Sequence, residues 1–285
     1  MIARDPWILG LDLHDKSRGA LAFAAWLREV GELSIVGVHI LEDWVRALAD
    51  ADPTPALLAE ARRQVAAAGL EEIDGLEVRQ AEHATAGLLA ACVNVGGLVL
   101  GRAAATTSKA TFRLGRVARR VLRQLPCPVF VVPPDLTSVD IGPILLATDL
   151  GPASEAATRF ARELAVRCGH SVELLHVGED RYGDLIDELQ PGWLAARERL
   201  RAATRDAVDR WAAAHDLGAV TRHVIHGDPI EAIMTTATHR HAAVVVVGSR
   251  HLSAAGRVFS GSTASALAAF AACPVCVVPQ SGEAL

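Results

Sequence analysis

The chain has no surplus of basic charge: 28 Lys and Arg against 33 Asp and Glu give a formal net charge of −5 over 285 residues. That balance gives no reason to expect a nucleic acid as partner, since phosphate backbones are held by clustered cations. Aromatic residues are scarce, at 4% of the chain, so its 51% hydrophobic content rests mainly on Ala, Leu and Val. A disulfide framework is missing too. Cys92, Cys127, Cys168, Cys273 and Cys276 are odd in number and irregular in spacing, which suits reduced thiols in a cytoplasm. No signal peptide is legible ahead of the first apolar run, because Asp5 interrupts the start.

Long uncharged runs are also few. Two, Ala84–Gly101 and Val258–Gly282, approach the length of a membrane span. The first carries Asn94, Gly96 and Gly97, and the second contains Pro274, so each reads better as a buried helix followed by a buried strand. The expectation is a soluble protein with no membrane partner.

What is present is a repeat. Trp7-Ile8-Leu9-Gly10-Leu11-Asp12 returns as Pro143-Ile144-Leu145-Leu146-Ala147-Thr148-Asp149, and Val36-Gly37-Val38-His39-Ile40 as Glu173-Leu174-Leu175-His176-Val177. Leu98–Gly101 returns as Val245–Gly248, and Pro126–Pro133 as Ala272–Pro279. Asp12 and Asp149 lie 137 positions apart, as do His39 and His176, while the later pairs lie 146 or 147 apart. The chain is thus its own control. Features kept in both copies report architecture, and features kept in one report chemistry.

Length fits two domains, read as 1–137 and 138–285, with Pro133-Pro134-Asp135 to Gly142 as the linker. Each copy alternates apolar runs with Ala-rich helical stretches. Strands fall near 7–12, 34–40, 76–81, 97–101 and 128–132, then near 143–148, 172–177, 220–225, 243–247 and 274–278. Runs such as Ala243-Val244-Val245-Val246-Val247 are apolar on both faces, as strands covered by helices on both sides require. Helices are expected over Ser17–Val30, capped by Ser17 or Asp15, and over Glu155–Cys168, capped by Ser154. The regions Glu42–Glu72 and Glu179–His215 are polar, helical and unequal in length. Alternation of this kind argues for a parallel sheet with right-handed crossovers in each copy.

These residues resemble the universal stress protein (UspA-like) family in its tandem two-domain form. The resemblance rests on Asp12 and Asp149, His39 and His176, His226-Gly227-Asp228-Pro229, and the stretch from Gly248 to Pro279. It implies an α/β fold of two repeated domains, each a five-stranded doubly wound parallel sheet. That fold is Rossmann-like, of the adenine nucleotide alpha hydrolase type. It also implies pairing of the last strands, here Val129–Val132 and Val275–Val278, in an internal pseudo-dimer. Some family members bind ATP through Gly, two residues, Gly, nine residues, then Gly-Ser.

The second copy reads Gly248-Ser249-Arg250-His251, nine residues, then Gly261-Ser262, so His251 replaces the second glycine. The first copy departs further: Gly101 is followed by Ala104, the loop is one residue longer, and Gly115-Arg116 stands in place of Gly-Ser. A glycine at a strand end lets the main chain approach a ligand, and a helix start suits phosphate oxygens. The resemblance assigns Asp149 to the adenosine and the main chain of Val177 to the adenine. Gly248, Arg250, His251, Gly261, Ser262 and Thr263 would surround ribose and phosphates. The implied cofactor is ATP or another adenine nucleotide, with Mg²⁺ as an accompanying ion. The implied function is stress-linked ligand sensing; the competing reading is an interaction scaffold with both sites degenerate. Whether two chains associate stays open.

Other candidates have plainer readings beside them. Arg116 stands near a helix start, where a cation costs about 0.3–1 kcal/mol unless an anion is near. With Lys109, Arg113, Arg120 and Arg123 it is either an anion site or a solvated face. Cys273-Pro274-Val275-Cys276 has redox or metal spacing, but the first copy has Phe130 at the last position, which marks a core strand. His39 and His176 read as satisfied core histidines, and His239 and His241 as a solvated helix end. His223 and His226 have no third ligand in view, so no metal site is expected. No nucleophile and base stand together, and slow ATP hydrolysis would be the limit of any catalysis.

Overall fold

The computed structural model describes residues 5–14, 17–71, 73–102, 114–178, 193–249 and 263–280. In the first half they form β1 (Trp7–Leu11), α1 (Arg18–Gly31), β2 (Ile35–Glu42), α2 (Asp43–Leu48), α3 (Thr54–Ala67), β3 (Gly75–Ala81), α4 (Ala84–Ala91), β4 (Gly97–Gly101), α5 (Arg116–Gln124) and β5 (Val129–Val132). The second half forms β6 (Ile144–Thr148), α6 (Pro152–Cys168), β7 (Val172–Gly178), α7 (Trp193–Ala214), β8 (Thr221–His226), α8 (Pro229–His239), β9 (Val244–Ser249), α9 (Thr263–Phe270) and β10 (Val275–Pro279). No described helix is long and apolar enough to cross a membrane.

The two expected five-stranded sheets are halves of one. Strand order is β3-β2-β1-β4-β5-β10-β9-β6-β7-β8, a ten-stranded sheet whose halves have the same internal order read from opposite edges. Within each half all strands run parallel; β5 and β10 meet antiparallel, with Val275 opposite Val131 and Val277 opposite Val129.

Alternation along the strands sends neighbours to opposite faces. Trp7, Leu9 and Leu11 enter one core with α1, α3, α6 and the Val208–Ala212 side of α7. Ile8 enters the other with α4, α5, α8 and α9. Both cores cross the junction between the halves, giving three layers, helix on sheet on helix. The scarce aromatics concentrate there: Phe130 of β5 lies 4.8 Å from Phe23, 5.3 Å from Trp7 and 6.1 Å from Phe160, ring centre to ring centre. Such tilted and edge-on contacts suit ring quadrupoles and add to the area they bury.

One helix start differs from its expectation. α6 begins at Pro152 with Gly151 as N-cap, so Ser154 lies inside the first turn. Proline at the first helical position is already set at helical φ and gives up no needed N–H. Ser154 is thereby released to bond Asp149. Ser17 does occupy the N-cap of α1, but its hydroxyl goes to Asp12 and makes no capping bond.

Candidate ligand-binding site

In each half the chain-order reversal falls at the central strand. In the second half β6 has β7 on one side and β9 on the other, and β7 and β9 are reached by connections running in opposite directions. Ligands of doubly wound sheets sit beyond the carboxyl ends of strands at such a point. The central strand also stops before its neighbours. Pairing of β6 with β7 ends at Thr148 opposite His176, and pairing with β9 ends at Ala147 opposite Val247. β7 continues to Gly178 and β9 to Ser249, leaving a notch beyond Thr148. The first half has the same notch: β1 pairs only to Leu11 opposite His39, while β2 continues to Glu42.

The residues after the central strand turn sharply at matching positions. Leu13 and Leu150 both adopt φ 58°, a left-handed conformation that costs a non-glycine residue about 1 kcal/mol or more. The preceding aspartate holds the turn. Asp149 Oδ1 accepts from Gly151 N at 2.9 Å and from Ser154 Oγ at 2.8 Å. Asp12 Oδ1 accepts from His14 N at 2.9 Å and from Ser17 Oγ. Both aspartates are exposed at the sheet edge. The repeated histidines are satisfied: His39 Nδ1 donates to Leu11 O and His176 Nδ1 to Thr148 O, each at 2.9 Å. A carbonyl only accepts, so Nδ1 carries the proton in both. They tie the central strand's last carbonyl to its neighbour.

Of the residues assigned to a nucleotide, Asp149, Val177 and Gly248 come together around the second notch. Thr263 begins α9, whereas Arg250, His251, Gly261 and Ser262 lie outside the described residues. The side chain of Val177 packs against the core, so a ligand could meet only its main chain, which beyond His176 has no β6 partner. Gly248 has a different reason to be glycine from the one read in the sequence. A Cβ there would fall 2.2 Å from the carbonyl oxygen of Ala153, so it is the first turn of α6 that closes on this strand.

Two groupings have no sequence signature. Arg102, directly after β4 and 5% exposed, donates through Nη1 to Ala271 O at 2.9 Å and so bridges the halves; burial lowers its pKa from the ordinary arginine value. Glu173, also 5% exposed, pairs with Arg240, whose Nε donates at 2.9 Å, and with His223 Nε2 at 2.7 Å. The Arg240 bonds, followed by the one from His223, hold its carboxyl below the usual range. Each pairing joins residues far apart in sequence, which periodicity does not report.

The remaining candidates take plain roles. Cys276 is buried in β10 and burial pushes its thiol well up, while burial takes Cys273 to about 12, so neither is a thiolate near neutrality. His239 and His241 are exposed beside the end of α8. No cluster of metal-ligating side chains occurs among the described residues. Arg116 lies near a carboxylate of its own chain, Glu42. The pKa of Glu42 is lowered first by the Ala84 N–H, then by the Trp44 indole, with smaller contributions from His83 and Arg116.

A doubly wound α/β protein with two ligand-type edges is what fold and site define. Residues 141–279 match the model of the universal stress protein family. The chain is 33% identical over 167 residues to a universal stress protein of Mycolicibacterium smegmatis, covering 58% of this chain and 55% of that protein. It is 28% identical over 174 residues to one of Mycobacterium tuberculosis, covering 59% and 56%. The chain thus spans about half the length of the curated relatives it matches. Among solved structures, a functionally unknown protein of Pseudomonas aeruginosa superposes with TM-score 0.71 at 16% identity, covering 97% of this chain and 93% of that one. A universal stress protein of Archaeoglobus fulgidus superposes with TM-score 0.68 at 21% identity, covering 96% and 98%. These two share the fold. By sequence, the match to the universal stress protein family covers the second half of the chain, residues 141–279.

Proposed function

We propose that the second half binds an adenine nucleotide, with ATP the first to test, and that the protein acts as a stress-linked ligand sensor. On this reading 1–137 and 138–285 are two copies of one domain, the first having lost its site. The observation that carries the proposal is the notch beyond Thr148, with the exposed Asp149 carboxylate, the β7 main chain after His176, which pairs with β8 but has no partner on its β6 side, and the start of α9. A carboxylate suits ribose hydroxyls, strand-edge main chain suits the adenine edge, and a helix start suits phosphate. Asp149 and Val177 would take the nucleoside; Gly248, Arg250, His251, Gly261, Ser262 and Thr263 would surround ribose and phosphates. Bound ATP would bring its own Mg²⁺.

The test is isothermal titration of the purified chain with ATP, beside the Gly261→Asp and Asp149→Ala variants. Saturable binding, abolished by the carboxylate at 261 and weakened about tenfold at 149, supports the reading. Unchanged affinity in Gly261→Asp refutes the site. The scaffold reading keeps one observation of its own: the tight approach at Gly248 is to Ala153, so that glycine needs no ligand to explain it. Absence of ATP heat, with no nucleotide in the mass spectrum of the purified protein, selects the scaffold.

A further inference from the structure

The outer surface of the first half carries a second recess, away from the sheet edge. It lies between α4 and α5, encloses about 640 Å³, and is lined by His83, Ala86, Leu89, Arg120, Arg123 and Gln124 together with Thr85. That volume falls within the range of about 300–1,000 Å³ typical of small-molecule sites. Among the described residues no carboxylate lines it.

Its two arginines are placed differently from the others on α5. Arg119 donates to the carbonyl of Leu114 at 3.4 Å, and Arg116 lies near Glu42. Arg120 and Arg123 face the recess one helical turn apart. Neither makes a hydrogen bond or ion pair with another described residue. Like charges three apart repel, and a nine-residue helix with four arginines and no acid keeps that repulsion unrelieved. His83 adds a third donor from the N-cap of α4, with the exposed Glu82 at 3.9 Å and Glu42 also near it.

The repeat shows that the fold does not ask for these residues. The buried Ala118, Val121 and Leu122 of α5 recur as Ala264, Leu267 and Ala268 of α9, which aligns Arg120 with Ala266 and Arg123 with Ala269. The N-cap matching His83 is Asp228, followed by Glu231 in the first turn. The same positions are cationic in the first copy and hold acids, Ala266 and the buried Ala269 in the second.

We infer that the α4–α5 recess binds a small phosphomonoester, its phosphate held by Arg120 and Arg123 and its apolar part lying on Ala86 and Leu89. Planar guanidinium forks match phosphate oxygens two at a time, which favours phosphate over a single-point anion. The half-buried Leu89 and the arginine stems offer an apolar bed that a bare inorganic ion would not use. This site is separate from the nucleotide reading, and neither depends on the other.

The experiment titrates phenyl phosphate, and separately inorganic phosphate, into the full chain, followed by amide chemical shifts. Phenyl phosphate should saturate and shift residues of α4 and α5, with inorganic phosphate at least fivefold weaker. R120Q/R123Q should weaken phenyl phosphate at least tenfold. R62Q/R205Q, which removes the same charge from exposed positions elsewhere, should leave it within twofold. Leu89→Ser should weaken phenyl phosphate and spare inorganic phosphate. Both arginines are exposed, so the variant keeps its fold, and an unchanged melting curve checks this. The proposal is overturned by absent saturation, by shifts that persist in R120Q/R123Q, or by equal weakening in the control pair.

Discussion

The two halves share a backbone device and differ in what surrounds it. Each ends its central strand early, turns at a leucine with φ 58°, and ties the turn to an aspartate and the strand end to a histidine. Repetition at matching distances identifies these as requirements of the fold. The halves part at the borders: the second has Gly178 where the first has the buried Leu41, and Ser249 where the first has the buried Arg102 bonded across to Ala271. An aspartate at the edge therefore cannot mark a ligand site alone, since the first half has one as well.

The largest expected effect tests the border of the second notch. Gly248→Ala places a methyl 2.2 Å from a main-chain carbonyl that cannot swing aside, and should cost about 3 kcal/mol in denaturant unfolding. Gly178→Ala meets the His226 ring at 3.1 Å and Thr204 Cγ2 at an ordinary 3.7 Å, and should cost under about 1 kcal/mol. Equal losses would break the claim that α6 packing fixes Gly248.

Next comes Glu173, whose counterpart in the first half is Val36. Its carboxyl is held below the ordinary value, so the pairing stabilises fully above the unfolded pKa of about 4.3 and is lost as pH falls through the lower folded value. Glu173→Gln should cost about 1.5 kcal/mol at pH 7, discounted for the half-exposed Arg240, and flatten the unfolding midpoint between about pH 5 and 3. An unchanged pH profile would remove this network as a difference between the halves.

The smallest effect sharpens the match between α1 and α6. Both helices end in a left-handed residue, Glu32 at φ 50° and Gly169 at φ 68°. Glu32→Gly should relieve that strain yet free the unfolded chain, for a net gain of about 0.5 kcal/mol; Gly169→Ala should lose about 1 kcal/mol. Thermal melts of the two variants shifting in the same direction would contradict the equivalence.

Strand positions were legible to within two residues because runs such as Val244–Val247 are apolar on both faces and interrupted by helical stretches. The start of α6 was not, since Ser154 has the side chain of a cap but Pro152 begins the helix earlier. The place of Asp149 just after β6 was legible through the repeat, and the places of Val177 in β7 and Gly248 in β9 through the apolar runs that hold them. Arg102 and Glu173 were invisible because their partners lie 169 and 67 positions away, and Arg240 was flagged only by its flanking histidines. The recess between α4 and α5 was half legible: the arginines showed their helical spacing, but the wall opposite them comes from another helix.

The antiparallel contact of β5 with β10 also decides where the two notches open. All strands of one half point the opposite way from those of the other, so the two notches open at opposite ends of the molecule. Between them lie the shared central strands and the aromatic rings packed over that seam.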